Sequence, residues 1–167
     1  HMAGVHAERT SIPAAALKEA MKNISAPKGA ASEALSALLA WDGRMDREAV
    51  GAAVYAATRN HVTRRVAGGL LGPLTDAAFV ARGRGASAHV TQVASRMVTA
   101  IGANDGSMLS GDESWVSVVE EGFREAVADL SERLGPDVSA WTWGRVHRTN
   151  PRHPLSSLFP ELAPLLD

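Results

Sequence analysis

Apolar residues recur at helical spacing along most of the chain and predict a series of amphipathic helices. Leu17, Met21 and Ile24, for example, fall at positions i, i+4 and i+7, which share one face of a helix. The same spacing predicts helices over residues 13–24, 31–41, 46–67, 76–81, 87–102 and 111–134. The pattern therefore indicates an all-α fold, an irregular bundle of about five to six helices with an extended, proline-rich C-terminal segment.

Polar residues and glycines at the ends of these segments predict where the helices begin and end. Ser32 and Asp46 are N-cap residue types before the second and third helices. Residues 110–113 (Ser-Gly-Asp-Glu) fit a capping box before the last helix. The glycine pair at residues 68–69 is expected to end the third helix, and Gly43 is expected to follow the second with a positive φ.

The character of the chain changes after Pro136. Residues 139–167 contain four prolines and two of the four tryptophans, a composition that predicts extended or irregular chain. We therefore expect a helical domain over residues 3–138 and an extended Trp- and Pro-rich tail over residues 139–167, which packs on the helices or on a partner. Residues 1–2 (His-Met) look like a tag remnant, and the residues after them lack the apolar core of a secretory signal.

Composition and charge narrow the classes of function. The 17 basic and 18 acidic residues give a net charge of −1, which argues against a dedicated nucleic-acid binder. The absence of cysteine excludes disulfides, thiolate metal sites and a cysteine nucleophile. No apolar run approaches the roughly 18 residues that a membrane span needs, so the sequence predicts no membrane span.

Two short motifs resemble catalytic or cofactor loops but lack the required context. Residues 83–88 match G-x-G-x-x-A, yet no strand precedes them, so an interhelix loop is the better interpretation. Ser87 lies in a degraded nucleophile elbow and is better interpreted as a helix N-cap. The acidic side chains along residues 120–129 are explained by a solvated helix face with i,i+4 ion pairs.

The most unusual segment is W-T-W-G-R-V-H at residues 141–147, followed by H-P-L at residues 153–155. In an extended chain, Trp141 and Trp143 would lie on the same side, and Gly144 would permit a bend. The segment is either a packing anchor for the tail or an aromatic platform for a ligand. Packing is favoured because aromatic side chains dominate protein cores.

This segment resembles the late β-subunit region of the penicillin acylase (penicillin amidase) family of N-terminal nucleophile hydrolases. Residues 38–45 (L-L-A-W-D-G-R-M) are similar to that family's L-x-x-W-D-G-x-m segment. The two motifs have the family's order and approximate separation, and the resemblance extends over about residues 13–154. It identifies as structural anchors Trp41, Asp42, Gly43, Trp141, Trp143, Gly144, His147, His153 and Pro154.

The resemblance implies a precursor that cleaves itself and exposes an N-terminal serine, or its equivalent, on the β-subunit. That residue attacks an amide carbonyl with its own α-amine as base, and a backbone N–H and an asparagine upstream hold the oxyanion. No segment here is similar to the family's S-N-x-W nucleophile context, so no catalytic, cofactor-binding or metal-binding residue is assigned. The family's calcium region falls outside this segment, and the resemblance suggests a periplasmic or secreted parent.

Three hypotheses follow for the function of the chain. The first is a structural, inactive fragment of an acylase that acts on penicillins or related acylated compounds. Its partners would be the α-subunit and the β-subunit core, with a homodimer formed through exposed apolar surface. The second is a free-standing all-α protein-interaction module. The third is a small hydrolase that uses Ser87 and a histidine.

Overall fold

The computed structural model describes residues 9–79 and 88–148, with residues 159 and 161; of residues 88–91 it describes only the backbone. Its α-helices are α1 (Ala14–Met21), α2 (Ala30–Ala40), α3 (Val50–Leu71), α4 (Thr75–Phe79), α5 (Ala88–Ala103), α6 (Trp115–Leu134) and the single turn α7 (Trp143–Val146). Three 3₁₀ turns cover Gly72–Leu74, Gly106–Met108 and Val138–Ala140. Within these ranges the only β contact is an isolated antiparallel bridge between Thr10 and Arg44. The predicted all-α bundle is confirmed.

Helix α3 lies at the centre of the bundle. Its buried residues fall on several sides of the helix rather than on one stripe, as expected when other helices surround it. The largest interface of α3 is with α6; α2 also packs on α3, and α1 contacts both α5 and α6. The buried hydroxyls of Thr58 and Thr63 donate to the carbonyls of Val54 and Arg59 at 2.8 and 2.7 Å, so they are satisfied within the helix.

A glycine allows α3 and α6 to approach closely. Gly122 of α6 is buried, and a Cβ at this position would lie 3.0 Å from the backbone nitrogen of Val62. The large buried side chains of the core include Leu17, Met21, Leu38, Tyr55, Met97, Trp115, Phe123, Leu130 and Trp141. A single apolar core therefore joins α1, α2, α3, α5, α6 and the start of the tail. In the described part of the chain, no helix is long and apolar enough to cross a membrane.

The starts of α2 and α3 differ from the predicted N-caps. Helix α2 begins at Ala30 after Gly29, whose φ is +59°, so the prediction of Ser32 as N-cap is wrong. Helix α3 begins at Val50, four residues after Asp46. The Asp46 carboxylate instead forms ion pairs with Arg9 and Arg44 at 3.2 and 3.1 Å, which removes it from the helix end.

The end of α3 and the start of α6 also differ from prediction. Helix α3 continues through residues 68–69 to Leu71, and the chain turns at Gly72 with a φ of +52°. The capping box of α6 is formed by Ser114 and Ser117, not by residues 110–113. Ser117 occupies the position where a usual capping box has Glu or Gln. The sequence therefore favoured Ser110 and Glu113, which do fit the usual pattern.

The tail begins with helical turns rather than extended chain. A 3₁₀ turn covers Val138–Ala140, and one turn of α-helix covers Trp143–Val146. The predicted extended course is therefore wrong for these residues. Residues 149–158, which contain His153 and Pro154, lie outside the described part of the chain.

Candidate functional site

The first motif forms the turn between α2 and α3. Trp41 is 7% exposed, and its indole Nε1 donates to the carbonyl oxygen of Arg44 at 2.7 Å. The centre of the Trp41 ring lies 5.3 Å from that of Tyr55. The Lys18 ammonium donates a hydrogen bond to the backbone carbonyl of Trp41. The indole N–H and the carbonyl of Trp41 are thus both engaged within the protein.

Asp42 and Gly43 shape the same turn. The exposed Asp42 carboxylate accepts a hydrogen bond from the backbone N–H of Arg44 at 2.9 Å, which closes an Asx turn. Gly43 has a φ of +93°, as predicted, and its carbonyl accepts from the N–H of Ser11 at 2.8 Å. The chain just before α1 is therefore fastened to the turn.

Trp141, the first tryptophan of the second motif, lies in the core. It is fully buried, and its Nε1 donates to the carbonyl of Gly135 at 2.8 Å. The 3₁₀ turn before it is capped by Asp137, whose Oδ1 accepts from the Ser139 hydroxyl at 2.6 Å and from the Ser139 N–H at 3.0 Å. The hydroxyl and then the backbone hydrogen bond hold the pKa of Asp137 below its ordinary value of 3.8.

Trp143 and Gly144 attach the one-turn helix α7 to the start of α3. The half-buried Trp143 ring stacks on the His147 imidazole, with centres 4.6 Å apart and planes 4° apart. The N–H groups of Trp143 and Gly144 donate to the carbonyls of Ala49 and Arg47 at 3.1 and 2.8 Å. A Cβ on Gly144 would lie 3.2 Å from the Arg47 carbonyl oxygen. Gly144 thus allows the one-turn helix α7 to approach the backbone of Arg47 closely, whereas the sequence predicted that it would permit a bend.

The two motif segments meet at the start of α3 and border an open cleft of about 920 Å³. Four arginines line it: Arg9, Arg47, Arg145 and Arg148. Trp143 and His147 form part of its wall, and Glu48 is the only acidic residue among its described lining residues. This cleft is the candidate functional site of the described chain.

Of the other candidates in the described part of the chain, Trp41, Asp42, Gly43 and Trp141 are not among the residues that line this cleft. Ser87 and the rest of residues 83–87 lie outside the described part of the chain. Among the described side chains, no group of three His, Asp or Glu residues could share a metal ion. The structure therefore brings together Trp143, Gly144 and His147 at the cleft, while Trp141 lies in the core.

The acidic face of α6 is engaged in ion pairs at its surface. The Arg65 guanidinium from α3 lies 3.2 Å from the Glu125 carboxylate and 3.9 Å from that of Glu121. Hydrogen bonds from Arg124 lower the pKa of Glu121. This arrangement agrees with the predicted solvated helix face.

The four arginines of the cleft could not be recognised as a group from the sequence. They come from three distant parts of the chain: the segment before α1, the turn before α3, and the region of α7. A near-neutral total charge conceals such a cluster, because the total does not show where the individual charges lie. Only the Arg145 and Arg148 pair, three residues apart, gave a local signal.

Comparison with known proteins identifies the family that the two motifs resemble, over nearly the whole chain. The penicillin amidase family profile matches residues 1–165. A penicillin acylase 2 proenzyme of Pseudomonas sp. (strain SE83) is 32% identical over 168 residues, which are 99% of this chain and 20% of that protein. The acyl-homoserine lactone acylase QuiP of Pseudomonas syringae pv. syringae (strain B728a) is 27% identical over 141 residues, which are 80% of this chain and 17% of that protein. The chain thus spans about one fifth of the length of the curated relatives it matches, and it belongs to the penicillin amidase family.

Proposed function

We propose that the chain is a noncatalytic helical section of the β-subunit of a penicillin acylase-like amidohydrolase. The parent enzyme would hydrolyse an acyl amide bond through an N-terminal nucleophile that is not among the residues of this chain. The observation that carries the proposal is the match over residues 1–165 combined with coverage of only 17–20% of the relatives. The names of those relatives include both a penicillin acylase and an acyl-homoserine lactone acylase, so an acylated amine is the expected substrate class.

The contacts of the two motifs support a structural role in this section. The indole N–H groups of Trp41 and Trp141 both donate to nearby backbone carbonyls, so neither is available to a ligand. Gly43 holds a positive φ in its turn, and Gly144 lies against the backbone of Arg47. These residues would act as packing anchors that hold the turn before α3 and the start of the tail on the helices.

The partners of this section would be the α-subunit and the β-subunit core of the parent enzyme. When the section is isolated, exposed apolar side chains would favour a homodimer. Leu70 and Leu74 are 53% and 67% exposed at the end of α3 and the turn that follows. Light scattering after size-exclusion chromatography is expected to show a dimer, and a purely monomeric protein would contradict this part of the proposal.

Expression of the complete reading frame around this sequence tests the proposed function. The complete product is expected to process itself and to release a free amine from penicillins or acyl-homoserine lactones. The 167-residue chain, assayed at the same molar concentration, is expected to give no turnover above the uncatalysed rate. Turnover by the chain alone, with covalent labelling of Ser87 by a serine-reactive phosphonate, would instead establish a self-contained hydrolase.

A further inference from the structure

The cleft between the two motif segments has an unbalanced charge in a protein that is close to neutral. The side chains of Arg47 and Glu48 are 85% and 81% exposed and lie 3.6 Å apart, a surface pair of little energetic weight. Arg9 pairs with Asp46 at 3.2 Å beside the cleft. Among the described residues, the four arginines therefore outnumber the two carboxylates that pair with them, and this part of the cleft presents a positive surface.

The protein backbone orients part of this positive surface. The Arg145 guanidinium donates to the carbonyl of Ala140 at 2.9 Å, which fixes it beside the cleft. The backbone N–H of Gly144 donates to the carbonyl of Arg47 at 2.8 Å, so the turn before α3 and helix α7 lie side by side. The stacked rings of Trp143 and His147 add a flat wall. Guanidinium groups suit carboxylates, which they bind through two parallel hydrogen bonds.

We infer that this cleft binds a carboxylate-rich peptide segment from the remainder of the acylase, an inference that rests on the proposed function. A cleft of about 920 Å³ that four arginines line has room for several carboxylates rather than one small anion. About four fifths of the length of the matched proteins lies outside this chain, so the remainder can supply such a segment. The cleft would then fix the orientation of the helical section by charge complementarity.

Fluorescence anisotropy with a labelled peptide of alternating glycine and glutamate tests the inference on the 167-residue chain. We expect saturable binding in low salt that weakens as salt is added, and no binding of the matched glycine–glutamine peptide. The triple variant Arg47→Gln, Arg145→Gln, Arg148→Gln is expected to bind the acidic peptide at least about tenfold more weakly. The control variant Lys28→Gln, Arg96→Gln, Arg133→Gln has the same net charge, and its affinity is expected to stay within about twofold of the native value.

Several outcomes would overturn the inference. Equal weakening of peptide binding in both triple variants would show that the peptide is attracted by net charge alone. Binding of the glycine–glutamine peptide would show that the cleft does not recognise carboxylates. Displacement of the peptide by an equimolar amount of inorganic phosphate would identify a simple anion site. Circular dichroism checks the fold of each variant. If the triple cleft variant loses helix, the single variant Arg148→Gln replaces it, because Arg148 is exposed. This single variant must still bind the acidic peptide more weakly than the native chain. The peptide assay does not measure amide hydrolysis, so failure of the proposed acylase activity and failure of this inference are separate results.

Discussion

Replacing Gly51 by alanine tests how tightly the turn of the first motif is fixed to the central helix. Gly51 is buried in the first turn of α3. A Cβ at this position would lie 2.6 Å from the carbonyl oxygen of Ala37 in α2 and 2.8 Å from Cγ of Trp41. The first distance is 0.8 Å shorter than the 3.4 Å at which ordinary van der Waals contact begins. The added methyl group therefore requires the backbone or the indole to move.

Two effects of opposite sign decide the size of the change. Alanine is favoured over glycine inside a helix by about 0.5–1 kcal/mol. Forcing a methyl group into a packed site costs about 1–3 kcal/mol, and the upper end applies because one neighbour is a backbone oxygen. We expect Gly51→Ala to lower the free energy of unfolding by about 2 kcal/mol, which lowers the midpoint of thermal unfolding by about 4–8 °C for a chain of this size.

Gly68 provides a matched control in the same helix. A Cβ there would meet only the Thr75 hydroxyl oxygen, at 3.9 Å, which is an ordinary contact. Gly68→Ala is therefore expected to raise the free energy of unfolding by about 0.5–1 kcal/mol. Urea denaturation followed by far-UV circular dichroism measures both variants. The reasoning is refuted if Gly51→Ala is as stable as the native chain, or if both substitutions change the stability by the same amount.

Further predictions concern the second motif and the surface. Trp141→Phe is expected to lower the free energy of unfolding by about 2 kcal/mol, because it removes a buried hydrogen bond and leaves a gap. Trp143→Phe, at a half-buried position, is expected to lower it by less than about 1 kcal/mol. Urea denaturation measures both variants, and equal losses would contradict this prediction. Asp137→Asn is expected to lower the thermal midpoint near neutral pH. The difference should vanish as the pH falls through the lowered pKa of Asp137, since only the ionised form gives this stability; a constant difference across a pH series would contradict it. Arg65→Gln is expected to cost about 0.5–1 kcal/mol in low salt and less in high salt, and urea titrations at both salt levels check this.

The existence of the helices could be predicted from sequence because helical periodicity is a local property. Leu17 and Met21, assigned to one face of α1, are both 1% exposed. The helix ends could not be predicted in the same way, because a capping residue type can have a stronger partner elsewhere. Asp46 is a good N-cap residue by type, but in the folded chain its carboxylate pairs with Arg9 and Arg44.

The candidate site was less predictable than the fold because it depends on contacts between distant segments. The sequence pointed to both tryptophan motifs but gave no sign that they meet at the start of α3. That meeting depends on the N–H groups of Trp143 and Gly144, which donate to the turn before α3. Backbone hydrogen bonds of this kind leave no side-chain pattern beyond the glycine that permits them. The cleft arginines therefore became visible as a group only in the folded chain.

The spacing of the two tryptophans in the second motif can now be explained. In an extended chain both rings would face the same side, whereas here the 3₁₀ turn ends just before Trp141, and α7 begins at Trp143. Trp141 consequently enters the core, and Trp143 stacks on His147 at the edge of the cleft. The first ring contributes stability, and the second shapes a surface. Loss of the first should therefore unfold the chain more readily, while loss of the second should mainly change what the cleft binds.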